Sequence, residues 1–164
     1  MKVISYIFVA ITLAAVISAI TICAVFPNKY ARELNDAAEE FNLDSSLVRA
    51  VVWAESGYDK NALSSKGAVG LMQIMPDTLD ECALALNIKN PDGFDTTTSL
   101  RCGCYYLSLM LDKFDGNIDH ALMAYNAGEN NARRFISGEK VFDETANYLK
   151  RVKHAKKIYD VLSF

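Results

Sequence analysis

The stretch "LVRAVVWAESG", residues 47–57, decides the fold. Arg49 is its only polar residue before Glu55, so a helix formed here has no side suited to water. A helix that is apolar all round sits in the middle of a domain rather than on its surface. Asp44 or Ser45 can cap its start, and Gly57 lets the chain turn out after Ser56. A second stretch, "ALMAYNAG" (residues 121–128), is likewise apolar around Tyr125 and Asn126 and ends on glycine. Two central helices that finish in polar groups gather those groups at the edge of one core.

Working outward, no segment shows sustained period-two alternation, so the expected class is all-α. Helices are predicted from Tyr30 to Phe41, from Asp44 or Ser45 to Ser56, and from Pro76 toward Leu86. Others run from Thr97 to Phe114, from an Asn117 cap to Ala127, and from about Asp143 to the C-terminus, with a short turn at Asn131–Ile136. Asp59 to Gly70 reads as loop.

About half the residues are hydrophobic, 51%, which suffices for one core over residues 29–164. The net charge of −3 argues against holding nucleic acid through a general basic surface. Lys150, Arg151, Lys153, Lys156 and Lys157 do collect near the C-terminus, where they read as a solvated helix face. Residues 1–28 read as a separate unit. No charge occurs from Val3 to Phe26, and as a helix this run reaches ~36 Å, enough for a ~30 Å hydrocarbon core. An uncleaved signal anchor is expected, with secretion after cleavage as the alternative, because Ile22 two before Ala24 makes a poor cleavage site. Lys2 on one side and Lys29 and Arg32 on the other leave the orientation unset by charge. Cys23 lies in this run; Cys82, Cys102 and Cys104 have no zinc-site spacing and read as buried thiols, with a bridge from Cys82 to one of the other two as the alternative. His120 and His154 read as surface residues.

Glu55 is the candidate for chemistry. At the C-terminal end of an apolar helix, desolvation and the negative end of the helix dipole both disfavour its charged form. A glutamic acid protonated near neutrality is what a general acid for glycosidic cleavage requires. The alternative is a helix-end carboxylate that reaches solvent or pairs with Arg49.

"ES" at 55–56, "KGAVGLMQIMP" at 66–76 and "AYNAG" at 124–128 occur in that order. With "LSSKGA", "GCYYLSLMLDKFDGN" and "ETANYLKRV" they resemble the lytic transglycosylase family over about Tyr30 to Tyr159. The resemblance implies a lysozyme-like all-α domain with a deep substrate groove. It implies cleavage of the β-1,4 link between N-acetylmuramic acid and N-acetylglucosamine in peptidoglycan, without cofactor or metal. Glu55 would be the single acid/base, with the muramyl C6 hydroxyl closing a 1,6-anhydro ring in place of water. Ser56, Met72, Gln73, Tyr125, Asn126 and Glu144 would bind the substrate or line its groove. For Ser56 and Asn126 a bond to their own backbone is the competing role, for Met72 core packing, and for Glu144 a favourable helix-start charge. Ser99-Leu100-Arg101-Cys102-Gly103 departs from the family pattern before the long helix, and Glu129-Asn130 departs after "AYNAG", at the rim. The implied setting is a monomer held by its N-terminal helix outside the membrane, facing the wall. It would serve wall turnover, or open the wall for secretion, conjugation or pilus machinery. Two alternatives remain: a hydrolytic muramidase using Asp59 or Glu144 as second carboxylate, and a non-catalytic wall-binding domain.

Overall fold

The structure, a computed structural model, describes residues 2–162; within the first helix the side chains at positions 2–5, 8, 9 and 19 lie outside the description. The described chain is helical: α1 (Lys2–Val25), α2 (Ala31–Glu40), α3 (Ser45–Ser56), α4 (Pro76–Ala85), α5 (Thr96–Lys113), α6 (Ile118–Ala127), α7 (Glu129–Ile136) and α8 (Asp143–Leu162). The caps follow the sequence. Asp44 accepts from the Ser46 N–H at 2.8 Å, and Asn117 from the His120 N–H at 3.1 Å. Where only a turn is expected, α7 is a full helix from Glu129, whose carboxylate pairs with Lys113 and Arg133. The loop after α3 is more ordered than "loop" implies: Val69 exchanges both backbone hydrogen bonds with Ile74, at 3.0 and 3.1 Å, and bridges Leu63.

α3 lies at the centre, packed chiefly on α8 and also on α2. Seven of its residues, from Leu47 to Val52 together with Ala54, are buried. Arg49 is among them, only 1% exposed. An arginine cannot shed its charge, so its donors must be satisfied where it lies. Nη1 donates to Asn28 Oδ1 at 2.6 Å and Nη2 to Asn35 Oδ1 at 2.8 Å, tying α3 to the segment before α2 and to α2 itself. The guanidinium is therefore turned away from Glu55, and the expected alternative pairing of the two does not form.

Residues 26–28, grouped with the N-terminal unit in the sequence, pack on the domain. Phe26 is buried and stacks on Trp53 with ring centroids 5.0 Å apart, and Trp53 Nε1 donates to the Val25 carbonyl at 2.8 Å. α1 leads up to this junction. Among the described residues no helix is long and apolar enough to cross a membrane. The expected transmembrane helix is thus unsupported by the structure, several of its side chains lying outside the description. What α1 does present is Ile7 and Ile11 exposed on one side and Val16 and Ile20 on the other. Cys82, Cys102 and Cys104 are free and buried, so the thiol reading holds and the bridge is absent. Burial pushes the Cys82 thiol up to about 12 and the Cys102 thiol to about 11.

Two glycines set how closely the loop before α4 approaches the core. A Cβ on Gly70, whose φ is +75°, would stand 1.9 Å from the Gly93 carbonyl oxygen. A Cβ on Gly103 in α5 would meet Met72 Sδ at 2.4 Å and Met72 Cβ at 2.6 Å. Gly103→Ala is therefore expected to cost about 1–3 kcal/mol by overpacking, read as a lower melting temperature. An unchanged melting temperature would show that Met72 can move away freely.

Candidate active site

Glu55 stands in the last turn of α3, just before Gly57 turns the chain out at φ 59°. Its carboxyl opens into a hollow of about 180 Å³ that Ser64, Lys66, Gln73, Asn126 and Glu144 also line. A second hollow of about 320 Å³ continues from it past Gln73, Tyr125 and Asn126 to Thr78 and Gly128. Five lining residues belong to both, so the two form one groove between the loop before α4, the end of α6 and the start of α8.

Burial pushes the Glu55 carboxyl up from an ordinary 4.5 to about 7. Tyr148 and the Arg151 guanidinium act in the opposite direction, and the Glu144 carboxylate adds to the rise. Arg151 is committed elsewhere, donating through Nη2 to the Ala54 carbonyl at 2.8 Å while lying over the Trp53 ring. Tyr148 Oη is buried beside Glu55 yet makes no well-formed hydrogen bond, the only such side-chain atom among the described residues. Burial and the nearby Glu55 hold its phenol well above the ordinary range. A buried polar atom without a partner is costly and is found where a ligand can complete it.

The residues expected to bind substrate divide into two groups. Gln73, Asn126 and Glu144 line the groove with Glu55. The Asn126 amide has no protein partner among the described residues. Glu144 pairs with Lys66 at 3.3 Å across the mouth, both largely exposed. Gln73 lines the groove with one end only: Nε2 donates to the Ala62 and Gly70 carbonyls at 3.1 and 2.9 Å. Its backbone sits at φ 49°, a left-handed conformation that those two bonds help to hold.

The second group builds the wall. Ser56 Oγ donates to the Leu71 carbonyl at 2.9 Å, with the Val52 carbonyl at 3.2 Å, and accepts from the Tyr58 N–H at 3.2 Å. It joins α3 to the loop and is not among the groove-lining residues. Met72 is not at the groove, correcting the expected apolar contact to substrate: its side chain is fully buried against Gly103, and its N–H is within 3.3 Å of Ser99 Oγ. Met75, exposed, takes the groove position instead. Tyr125 lines the groove, but its hydroxyl donates to the Met72 carbonyl at 2.9 Å rather than to Glu55. Ser64, Lys66, Tyr148 and Arg151 were not expected at the site. Ser64, Lys66, Tyr148 and Arg151 lie within "LSSKGA" and "ETANYLKRV", so the signal was present as motif but not as role.

Residues 33–148 match the family model described as Transglycosylase SLT domain. The chain is 38% identical over 96 residues to the transglycosylase of Enterobacteria phage PRD1, covering 58% of this chain and 34% of the relative. It is 26% identical over 125 residues to the membrane-bound lytic murein transglycosylase C of Yersinia enterocolitica, covering 69% of this chain and 35% of the relative. An inactive mutant of the lytic transglycosylase Slt from Pseudomonas aeruginosa has the same fold, with a TM-score of 0.78 and 29% identity over 84% of this chain and 25% of that one. The 70 kDa soluble lytic transglycosylase of Escherichia coli gives a TM-score of 0.80 at 25% identity over 87% of this chain and 26% of that one. The chain thus spans about a third of the length of these curated relatives and about a quarter of the solved structures. The family match begins in α2 and runs through the loop and the groove to Tyr148 beside Glu55, well over half of the chain, and on that ground the chain belongs to the Transglycosylase SLT domain family.

Proposed function

We propose that the chain is a peptidoglycan lytic transglycosylase, cleaving the β-1,4 bond between N-acetylmuramic acid and N-acetylglucosamine with Glu55 as its one acid/base. The observation that carries this reading is a carboxyl raised to about 7 by burial at the wall of a groove. The neutral Glu55 gives its proton to the glycosidic oxygen as the bond to the muramyl C1 breaks. The carboxylate so formed takes the proton of the muramyl C6 hydroxyl, whose oxygen bonds to C1 and closes the 1,6-anhydro ring. Proton and charge balance without water, and the nucleophile arrives already attached to the substrate. Asn126 and the free end of Gln73 are the proposed sugar contacts, with Tyr148 Oη donating to the reacting carboxylate or sugar.

Ring closure is supported over hydrolysis by the carboxylates at hand. Asp59 is exposed, outside the groove, and accepts from the Asn61 N–H at 2.9 Å. Glu144 shares the hollow with Glu55 and keeps the hydrolytic reading in view, but it is paired with Lys66. The proposed setting is the outer face of a membrane, with α1 entering lipid. Its exposed isoleucines on opposite sides support that placement, because water is an unfavourable cover for them.

Glu55→Gln is expected to lower digestion of purified sacculi by at least about 10²–10⁴-fold while leaving glycan binding in place. Product masses divide the chemistry: anhydromuramyl ends lie about 18 Da below hydrolysed ends, and hydrolysed ends alone would move the assignment to a muramidase using Glu144.

The acid must start protonated, so activity should hold below pH about 7 and decline as pH rises through it. The same shift bears on stability. A carboxyl raised in the fold loses less by staying neutral than by ionising, so its destabilising effect is absent below the ordinary 4.5 and complete above about 7. Glu55→Gln should therefore melt higher than the wild type near pH ~8 and equally near pH ~4; the opposite order would mean that Glu55 is stabilised as an anion.

Tyr148→Phe removes a buried hydroxyl that makes no well-formed hydrogen bond, so the melting temperature should hold or rise. Activity should drop by about tenfold to a hundredfold. A variant with full activity would remove Tyr148 from the site.

A further inference from the structure

A hollow of about 480 Å³ lies apart from the groove and shares none of its lining residues. Met123, Val141 and Leu149 give it an apolar floor, and Lys150, His154 and Lys157 stand along its rim. Residues 150, 154 and 157 are spaced i, i+4, i+7, so the rim is one stripe of α8. Lys153 also borders the hollow but is paired with Asp119 at 2.7 Å. Lys150 and Lys157 have no ion pair among the described residues, and no acidic residue lines the hollow. In a chain of net charge −3, this is a local reversal of sign.

Its place in the fold says what it faces. The His154 ring lies 6.4 Å from the Phe26 ring, and Tyr159 Oη donates to the Pro27 carbonyl at 3.3 Å. Residues 26 and 27 directly follow α1, so the junction between α1 and the domain is packed on the helix that carries the rim. We propose that this hollow seats the headgroups of anionic phospholipids in the membrane surface that α1 enters; this rests on the lipid reading of α1 given above. The lysine ammonium groups meet the phosphates, while the lysine alkyl stems cover the apolar floor. Such attraction acts only within about a Debye length of the surface, ~8–10 Å, a condition that the neighbouring α1 junction meets. Seating α8 in this way fixes the tilt of the domain, because Glu144 on the same helix lines the groove and Tyr148 lies beside Glu55.

The chain's single tryptophan, Trp53, stacks on Phe26 at the junction and reports on nearby lipid. The full chain is reconstituted in phosphatidylcholine vesicles containing phosphatidylglycerol, each lipid in turn carrying brominated acyl chains that quench tryptophan. Brominated phosphatidylglycerol is expected to quench Trp53 more than brominated phosphatidylcholine at equal content. High salt and the double variant Lys150→Gln/Lys157→Gln, with unchanged helical content, should each bring the two to parity. Equal quenching in the wild type overturns the headgroup site, whereas a chain that fails to float with the vesicles overturns the lipid reading of α1 as well. A preference that survives the double variant overturns the role of the two lysines. If a soluble acidic peptide protects Lys150 and Lys157 from acetylation while anionic vesicles do not, the hollow belongs to a protein partner and the lipid assignment fails.

Discussion

The structure depends on burying α3 from every side while the helix carries two ionisable groups. Arg49 and Glu55 lie less than two turns apart, and the low dielectric around them penalises charge on both. Arg49 cannot become neutral, so the fold brings Asn28 and Asn35 to its guanidinium. Glu55 can become neutral, and it is left without a strong cationic partner, with the mild influence of Arg151 outweighed by burial. One helix thus settles the same electrostatic problem in two ways. The first offsets the cost of a buried charge, and the second leaves a carboxyl that stays protonated more readily.

The groove beside that acid is held by four polar side chains, of which Gln73 and Tyr125 also line it while Ser56 and Ser99 do not. Ser56, Ser99, Tyr125 and the Gln73 amide all bind backbone atoms between Ala62 and Met72. Each such bond contributes only about 0.5–1.5 kcal/mol, but together they fix a loop that would otherwise sample many conformations. Gly70 and Gly103 bring that loop into contact with the segment before α5 and with α5 itself. A rigid wall at this position keeps solvent from entering beneath Glu55, which is what sustains its raised pKa. Groove-lining and wall-building residues are therefore neighbours in sequence, and the chain alternates between the two positions.

α8 connects the acid to the rest of the molecule. Its first half supplies Glu144 at the groove mouth and Tyr148 beside Glu55. Arg151 then reaches back to the end of α3 and covers Trp53, the residue on which the start of the domain is stacked. The N-terminal junction is thus tied to the last turn of α3 by the Phe26–Trp53 stack and the Trp53 Nε1 bond to the Val25 carbonyl.

Much of the fold was legible in the residues. Aspartate and asparagine caps and the glycines after α3 and α6 mark the helix ends, because local backbone hydrogen bonding decides them. The central position of "LVRAVVWAE" follows from its lack of any polar face, and Glu55 as an acid follows from where that segment ends. By contrast, which of Ser56, Met72, Gln73 and Tyr125 face the groove is decided by the path of the loop from 57 to 75. That path depends on long-range bonds such as Tyr125 Oη to the Met72 carbonyl, fifty-three residues apart, and no local pattern encodes them. Tyr148 and Lys66 were hidden for the same reason: their chemistry arises only where α8 and the loop meet across Glu55. The sequence by itself determined the helices, the buried centre and the raised Glu55 carboxyl, since these rest on neighbouring residues and on hydrophobic pattern. Only the tertiary structure decided which polar groups build the wall and which stand free in the groove, because that depends on whether a partner from a distant element is within reach.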